Sequence, residues 1–211
     1  EINKEIESKD NKFVVEIGSN DGILIGNFAE FGIKHLGIEP SANVAAVAAE
    51  KGVNTKVSFF SKDLVTNVIE EYSKADAIMA ANVICHIPSI NDIASGVEKI
   101  LKDDGFFVFE EPYLGDVLEK TTYDQIYDEH VFLFSLTSVN AIFSKVNMEI
   151  FRAERQWTHG GSMRYWLSKK GSRKIEDSVH SLINFEQNLE IQSPLTYVRF
   201  KESCENQKNK L

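Results

Sequence analysis

Phe13-Val14-Val15-Glu16-Ile17-Gly18-Ser19-Asn20-Asp21-Gly22 is the stretch that decides the fold. An apolar run with paired valines reads as a buried strand, and Gly18 and Gly22 then bracket a tight turn. Ile23, Leu24 and Phe28 follow at helical spacing. Strand, glycine turn and helix is how doubly wound α/β folds bring backbone N–H groups to a nucleotide-like ligand. Dinucleotide sites use G-x-G-x-x-G, because a pyrophosphate needs close backbone approach. Here the turn is Gly-Ser-Asn-Asp-Gly, with the acid Glu16 at the strand's end and Asp21 within the turn. Two carboxylates repel a pyrophosphate and suit a cofactor carrying an ammonium and a sulfonium. The expectation is S-adenosylmethionine rather than NAD, with Gly18, Asn20, Asp21, Gly22 and Glu16 around it.

Outward from that turn, a helix is predicted to run to about Phe31, with Gly32 at its C-terminal cap. His35 to Pro40 reads as a second strand ending in Glu39, 23 positions after Glu16. That is about the spacing at which nucleotide folds set an acid on a ribose diol, so Glu39 and Pro40 are placed at the cofactor edge. The competing reading of Glu39 is a solvated strand-end glutamate. Ser41 is read as the cap of a helix over 43–51. The third strand, over 57–60, ends in Phe59 and Phe60; neighbours on a strand face opposite ways, so one can be core while the other flanks an adenine ring, and core for both is the plainer reading. Residues 76–82 read as a small-residue central strand delivering Asn82, and with it His86, to the ligand edge. A helix over 89–101 buries Ile90, Ile93, Val97 and Ile100; Asp104-Gly105 is a turn, and 106–109 a fifth strand.

Five strand–helix units within 12–111 imply a mostly parallel sheet with right-handed crossovers and helices on both faces. Residues 148–157 and 162–169 read as a hairpin about His159-Gly160-Gly161, supplying an antiparallel strand at the sheet's far edge. The fold expected is therefore α/β, a Rossmann-like methyltransferase sheet of seven strands. Residues 1–171 form the cofactor-binding domain, and 172–211 a helical tail, a link or the start of a further domain. Phe132, Phe134, Trp157 and Trp166 are assigned to core or cleft wall.

The polar-aromatic segment after the fifth strand carries Tyr127, Glu129 and His130, and His86 arrives from the loop after the fourth. Imidazole takes a proton near neutral pH, a glutamate orients it, and a tyrosine hydroxyl donates to a developing oxyanion. The four residues therefore make a candidate proton-abstraction site; the plainer reading is interfacial polar residues that satisfy a loop.

Bulk properties narrow the field. The chain has 211 residues, 43% of them hydrophobic, and a formal charge of −9, which disfavours a nucleic-acid groove. No apolar run approaches the roughly 20 residues that cross a bilayer. Cys85 and Cys204 are the only cysteines, so spacing supports neither a disulfide framework nor a cysteine zinc site, and no metal is expected. A cytoplasmic location is the matching expectation.

The stretches 16–22, 37–41, 82–87, 109–113, 127–130 and 159–162 resemble the sugar C-methyltransferases, over about residues 12 to 170. The resemblance implies that Gly18, Asn20, Asp21, Gly22 and Glu39 line an S-adenosylmethionine site. It implies that His130 is the leading base, with Tyr127, Glu129 and His86 around it. The implied reaction is removal of a proton α to the ketone of a nucleotide-linked sugar, then attack of that carbon on the sulfonium methyl. Such enzymes also carry a zinc domain before this region and a Rossmann-like domain after it, so further domains of a longer chain are expected partners. O- or N-methylation of another small metabolite, or a non-catalytic cofactor-binding fragment, are the alternatives.

Overall fold

In the computed structural model, which describes residues 1–210, the opening strand is an interior strand of the sheet, next to the central one. The chain runs α1 (Ile2–Glu5), β1 (Phe13–Ile17), α2 (Gly26–Glu30), β2 (Lys34–Glu39), α3 (Ala42–Glu50) and β3 (Thr55–Val57). It continues through α4 (Lys62–Tyr72), β4 (Ala75–Ala81), α5 (Ile90–Ile100), β5 (Leu101–Pro112), α6 (Leu114–Lys120) and α7 (Leu136–Phe143). β6 (Met148–Gln156), β7 (Ser162–Lys169), α8 (Asp177–Asn188) and α9 (Pro194–Lys208) complete it. Seven strands form one sheet in the order β3-β2-β1-β4-β5-β7-β6. β1 to β5 are parallel to one another, whereas β7 pairs antiparallel with both β5 and β6. The antiparallel strand thus lies one place in from the edge, between β5 and β6, rather than at the edge itself.

All five residues of β1 are buried, as a strand covered on both faces requires. Side chains alternate between two cores. Val15, Ile17, Ile78, Phe107 and Phe109 pack with α4, α5 and α7; Val14, Ala77, Met79, Phe106 and Val108 pack on the face of α2 and α3. The predicted stripe Ile90, Ile93, Val97 and Ile100 is the buried face of α5. Ile17 pairs with Ile38 on one side and Ala80 on the other, so Gly18, Glu39 and Ala81 reach the carboxyl edge together. The strand order reverses between β1 and β4, and such a switch point opens a crevice at that edge.

Three local expectations change. β3 stops at Val57, before the two phenylalanines. β5 begins at Leu101, and the expected turn at Asp104-Gly105 is a break in its pairing, which jumps from Ala75–Leu101 to Ala77–Phe106. Ser41 stands at the N-cap of α3, but its hydroxyl donates to Asn43 Oδ1 (2.6 Å) rather than capping the helix.

The tail does not hang free. Glu186 of α8 is buried and accepts from the Tyr113 hydroxyl (3.0 Å), the Leu136 N–H (2.6 Å), and the Thr137 N–H (2.9 Å) and hydroxyl (2.6 Å). A carboxylate is favoured there, at the N-terminus of α7. Among the described residues, no helix is long and apolar enough to cross a membrane.

Candidate active site

Gly18 donates its N–H to the Ile38 carbonyl (2.8 Å) at φ +68°, and a Cβ there would meet Val83 Cγ2 at 2.6 Å. Gly22, at φ +79°, would meet Val53 Cγ2 at 2.9 Å. Both glycines are therefore required by the protein's own packing, which folds the turn over the β4 loop and α3. Within the turn, Asn20 has φ +50° and its Oδ1 accepts the Asp21 N–H (2.8 Å).

Glu39 is the carboxylate offered at the strand ends. Its Oε2 accepts from the Asn20 N–H (3.1 Å) and its Oε1 from the Ser41 N–H (2.8 Å). Two oxygens offer about four acceptor directions, so acceptor capacity remains on each after these bonds. The other two acids of the sequence argument are engaged elsewhere. Asp21 pairs with Lys51 Nζ (2.7 Å), which holds its carboxyl below the ordinary range. Glu16 is buried, and its Oε2 accepts the Ile25 N–H (3.0 Å) at the start of α2, so it braces the turn from beneath.

Burial pushes the Glu16 carboxyl up to about 8, against the smaller downward pull of the Ile25 N–H. Between the ordinary value of 4.5 and about 8, the folded state therefore holds a proton that the unfolded chain has lost. Stability must fall as pH rises through that window. Wild type is expected to lose melting temperature between pH 5 and pH 8 more steeply than Glu16→Gln; equal slopes would remove the assignment.

Phe59 and Phe60 lie beyond the end of β3, and they separate into one exposed and one buried ring. Phe60 (7% exposed) is a core residue, its ring packed over Gly96 of α5, so it does not flank the cleft. Phe59 (77% exposed) is the one available to a ligand. Pro40 and Asn82 are exposed at the ends of β2 and β4, and Asn82 takes φ +52° with its N–H on the Glu110 carbonyl (3.0 Å).

The histidine cluster is assembled by main-chain bonds. Glu111, buried at the end of β5, accepts through Oε1 from the Val83 N–H (2.9 Å) and the Ile84 N–H (2.6 Å), fixing the 3-10 turn Ile84–His86. The Cys85 carbonyl accepts from Val131 N–H (2.9 Å) and Phe132 N–H (3.2 Å), pinning the segment that carries Tyr127 to His130. His86 Nδ1 meets the Glu129 carbonyl (2.7 Å), and His130 Nδ1 meets the Gln125 carbonyl (3.0 Å). A carbonyl only accepts, so both rings carry a proton on Nδ1, and in the neutral form Nε2 is each ring's basic nitrogen. The two rings lie 5.1 Å apart, and the half-exposed Tyr127 ring lies 4.0 Å from that of His130. Glu129 contributes its carbonyl to this arrangement; its carboxylate, expected to orient a histidine, is on an exposed residue.

Sequence reasoning passed over Glu111. Alternation along β5 was the available signal, because two successive acids at a strand end must face opposite ways. Glu111 turns under the β4 loop, where burial pushes its carboxyl up. Burial and the facing Glu111 carboxylate push the Cys85 thiol up as well. Glu110 turns the other way, to Arg164 (2.9 Å) and the Thr158 hydroxyl (3.1 Å). Phe132 is partly buried, and Phe134 and Trp166 are core; Trp157 is not, being 88% exposed beside the His159 turn. That turn reaches the carboxyl edge because Ser162 pairs with Pro112.

A cavity of about 590 Å³ opens on the α2 side of this edge, between Leu24, Asn27, Phe31, Ala81, Glu110 and Arg164. Neither residues 18–22 nor the histidine cluster lines it. Ala81 and Glu110, at the ends of β4 and β5, join this cavity to the carboxyl edge where Glu39 lies.

Comparison with known proteins accords with this geometry. Residues 2–153 match a family model described as a methyltransferase domain, and residues 157–211 match a C-methyltransferase C-terminal domain. C-methyltransferase NovU of Streptomyces niveus is 28% identical over 90% of this chain and 46% of its own length. The sterol 4-C-methyltransferase strm-1 of Caenorhabditis elegans is 25% identical over 61% of this chain and 38% of its own. The chain thus spans less than half the length of these curated relatives. An S-adenosylmethionine-dependent methyltransferase from Clostridium acetobutylicum shares the fold, with a TM-score of 0.61 at 14% identity, over 81% of this chain and 89% of that one. With the strand order, the glycine turn and the match over residues 2–153, the chain belongs to the methyltransferase-domain family.

Proposed function

We propose that this chain is the catalytic core of a C-methyltransferase acting on the carbon α to the keto group of a nucleotide-linked sugar. The cofactor is S-adenosylmethionine, and the residues present fit it. Glu39 keeps acceptor capacity on both oxygens for a ribose diol, Phe59 is exposed near it for the adenine, and the backbone of 18–22 lies between β1 and the β4 loop. When bound, S-adenosylmethionine supplies an electrophilic methyl group on its sulfonium.

The observation that carries the reading is the pair of imidazoles held in one tautomer by main-chain carbonyls, next to the end of β4. His130 Nε2 takes the proton α to the ketone, and Tyr127 donates to the enolate oxygen that develops. The carbon so deprotonated would be the nucleophile for the methyl group that the bound cofactor would supply. His86 faces His130, with its own Nδ1 held on the Glu129 carbonyl. The two curated relatives, both C-methyltransferases by name, favour carbon over oxygen or nitrogen as the acceptor atom. The sugar assignment rests on the resemblance of residues 127–130 and 159–162 to the sugar C-methyltransferases. Residues 1–171 are read as the cofactor domain, and 172–211 as the helical link that Glu186 fastens to it.

Calorimetric titration with S-adenosylmethionine, and with NAD as control, is the first experiment. Micromolar binding of the first alone is expected. Transfer of a labelled methyl to a keto-sugar nucleotide, with the product carrying a new carbon–carbon bond, completes the test. A methyl on oxygen or nitrogen would overturn the carbon assignment.

A further inference from the structure

Cys85 Sγ, one ring nitrogen of His86 and one of His130 lie within 4.8 Å of one another. Sequence spacing hides this group, because His130 reaches the other two only through the bonds from Val131 and Phe132 to the Cys85 carbonyl. A tetrahedral zinc ion, with ligands at ~2.0–2.3 Å, spaces them about 3.3–3.8 Å apart. The cluster therefore has to contract by about 1 Å, within reach of rotation of two half-buried rings.

Two further features suit a metal. Each imidazole gives Nδ1 to a main-chain carbonyl, which is the outer support that a histidine ligating through Nε2 needs. Glu111 Oε2, buried and without a hydrogen-bond partner, belongs to the carboxylate that faces the Cys85 thiol. A cation at the cluster would supply the positive charge which that oxygen lacks. Sulfur and imidazole donors select zinc-class ions over magnesium or calcium.

We infer that Cys85, His86 and His130 form a binding site for a zinc-class divalent cation, with the Glu111 carboxylate behind it, and that its occupation silences His130 as a base. Binding releases the thiol proton to solvent and ties up Nε2. The inhibitory half rests on the proposed function; the binding half does not.

Cobalt(II) titration of the chain tests the site directly, because thiolate ligation gives a charge-transfer absorption. One equivalent is expected to produce that band and zinc to abolish it by displacement, while magnesium leaves it unchanged. Cys85→Ser should remove the band and Cys204→Ser should keep it. His86→Asn, which leaves the buried cysteine in place, should weaken binding by about tenfold or more and serves if Cys85→Ser does not fold. No band, or a band lost only with Cys204, overturns the site. Methyl transfer that persists with zinc bound overturns the inhibition alone. A band in a protein that transfers no methyl even when metal-free supports the site and overturns the proposed C-methyltransferase function instead.

Discussion

Replacing His130 by asparagine is expected to lower kcat for methyl transfer by about 10²–10⁴-fold, the range over which a positioned general base contributes. Asparagine keeps an amide donor where Nδ1 now meets the Gln125 carbonyl, so the segment from Tyr127 to His130 retains that bond. What it removes is the free Nε2. Cofactor affinity should stay within about twofold of wild type, because the ligand contacts assigned to Glu39 and the glycine turn do not involve His130. A loss confined to kcat thus separates lost chemistry from lost binding. His86→Asn is the matched comparison: its Nδ1 sits on the Glu129 carbonyl in the same way, and its ring is 5.1 Å away. If His86→Asn abolishes turnover while His130→Asn does not, the base is His86. If neither variant is slower, proton removal lies outside the cluster and the reading of residues 127–130 fails.

Much of this arrangement was legible in the sequence, and what was not has identifiable causes. β1 was readable because Phe13 to Ile17 is apolar on both faces, apart from Glu16, and ends in two glycines a turn apart. The stripe on α5 was readable from its spacing. Glu16 and Asp21 were visible as acids, but not where they point. One is buried under its own turn, and the other is taken by Lys51, 30 residues on. Phe59 and Phe60 read as a strand's end but lie beyond β3, and it is the space over Gly96 of α5 that takes the Phe60 ring inward. The histidine cluster could be guessed from residue type. Its working parts, though, are the carbonyls of Cys85, Gln125 and Glu129, and main-chain groups leave no trace in a residue's identity. Docking of the tail was half visible: Val179, Leu182 and Ile183 recur at helical spacing and pack on the core, while the buried Glu186 on the same face, which bonds the start of α7, could not be told from a solvated acid.

Glu39→Ala is expected to weaken S-adenosylmethionine and S-adenosylhomocysteine alike, by about a hundredfold. The figure follows from hydrogen bonds to a charged group, worth about 1.5–3 kcal/mol each. Because the ribose is common to both ligands, the loss must not discriminate between them. The substitution also leaves the Asn20 and Ser41 N–H groups without their present acceptor, so part of any loss is structural. Glu39→Gln keeps one carbonyl oxygen and should fall between wild type and alanine. The separation comes from a double-mutant cycle with a 2′,3′-dideoxy analogue of S-adenosylhomocysteine. Wild type should bind the analogue far more weakly than the parent, whereas Glu39→Ala should bind the two almost equally. If both proteins lose the same factor on removal of the hydroxyls, Glu39 does not hold the ribose. Its carboxylate is then the scaffold that ties the glycine turn to α3, and the diol must be sought on other groups at the carboxyl ends of β1, β2 and β4.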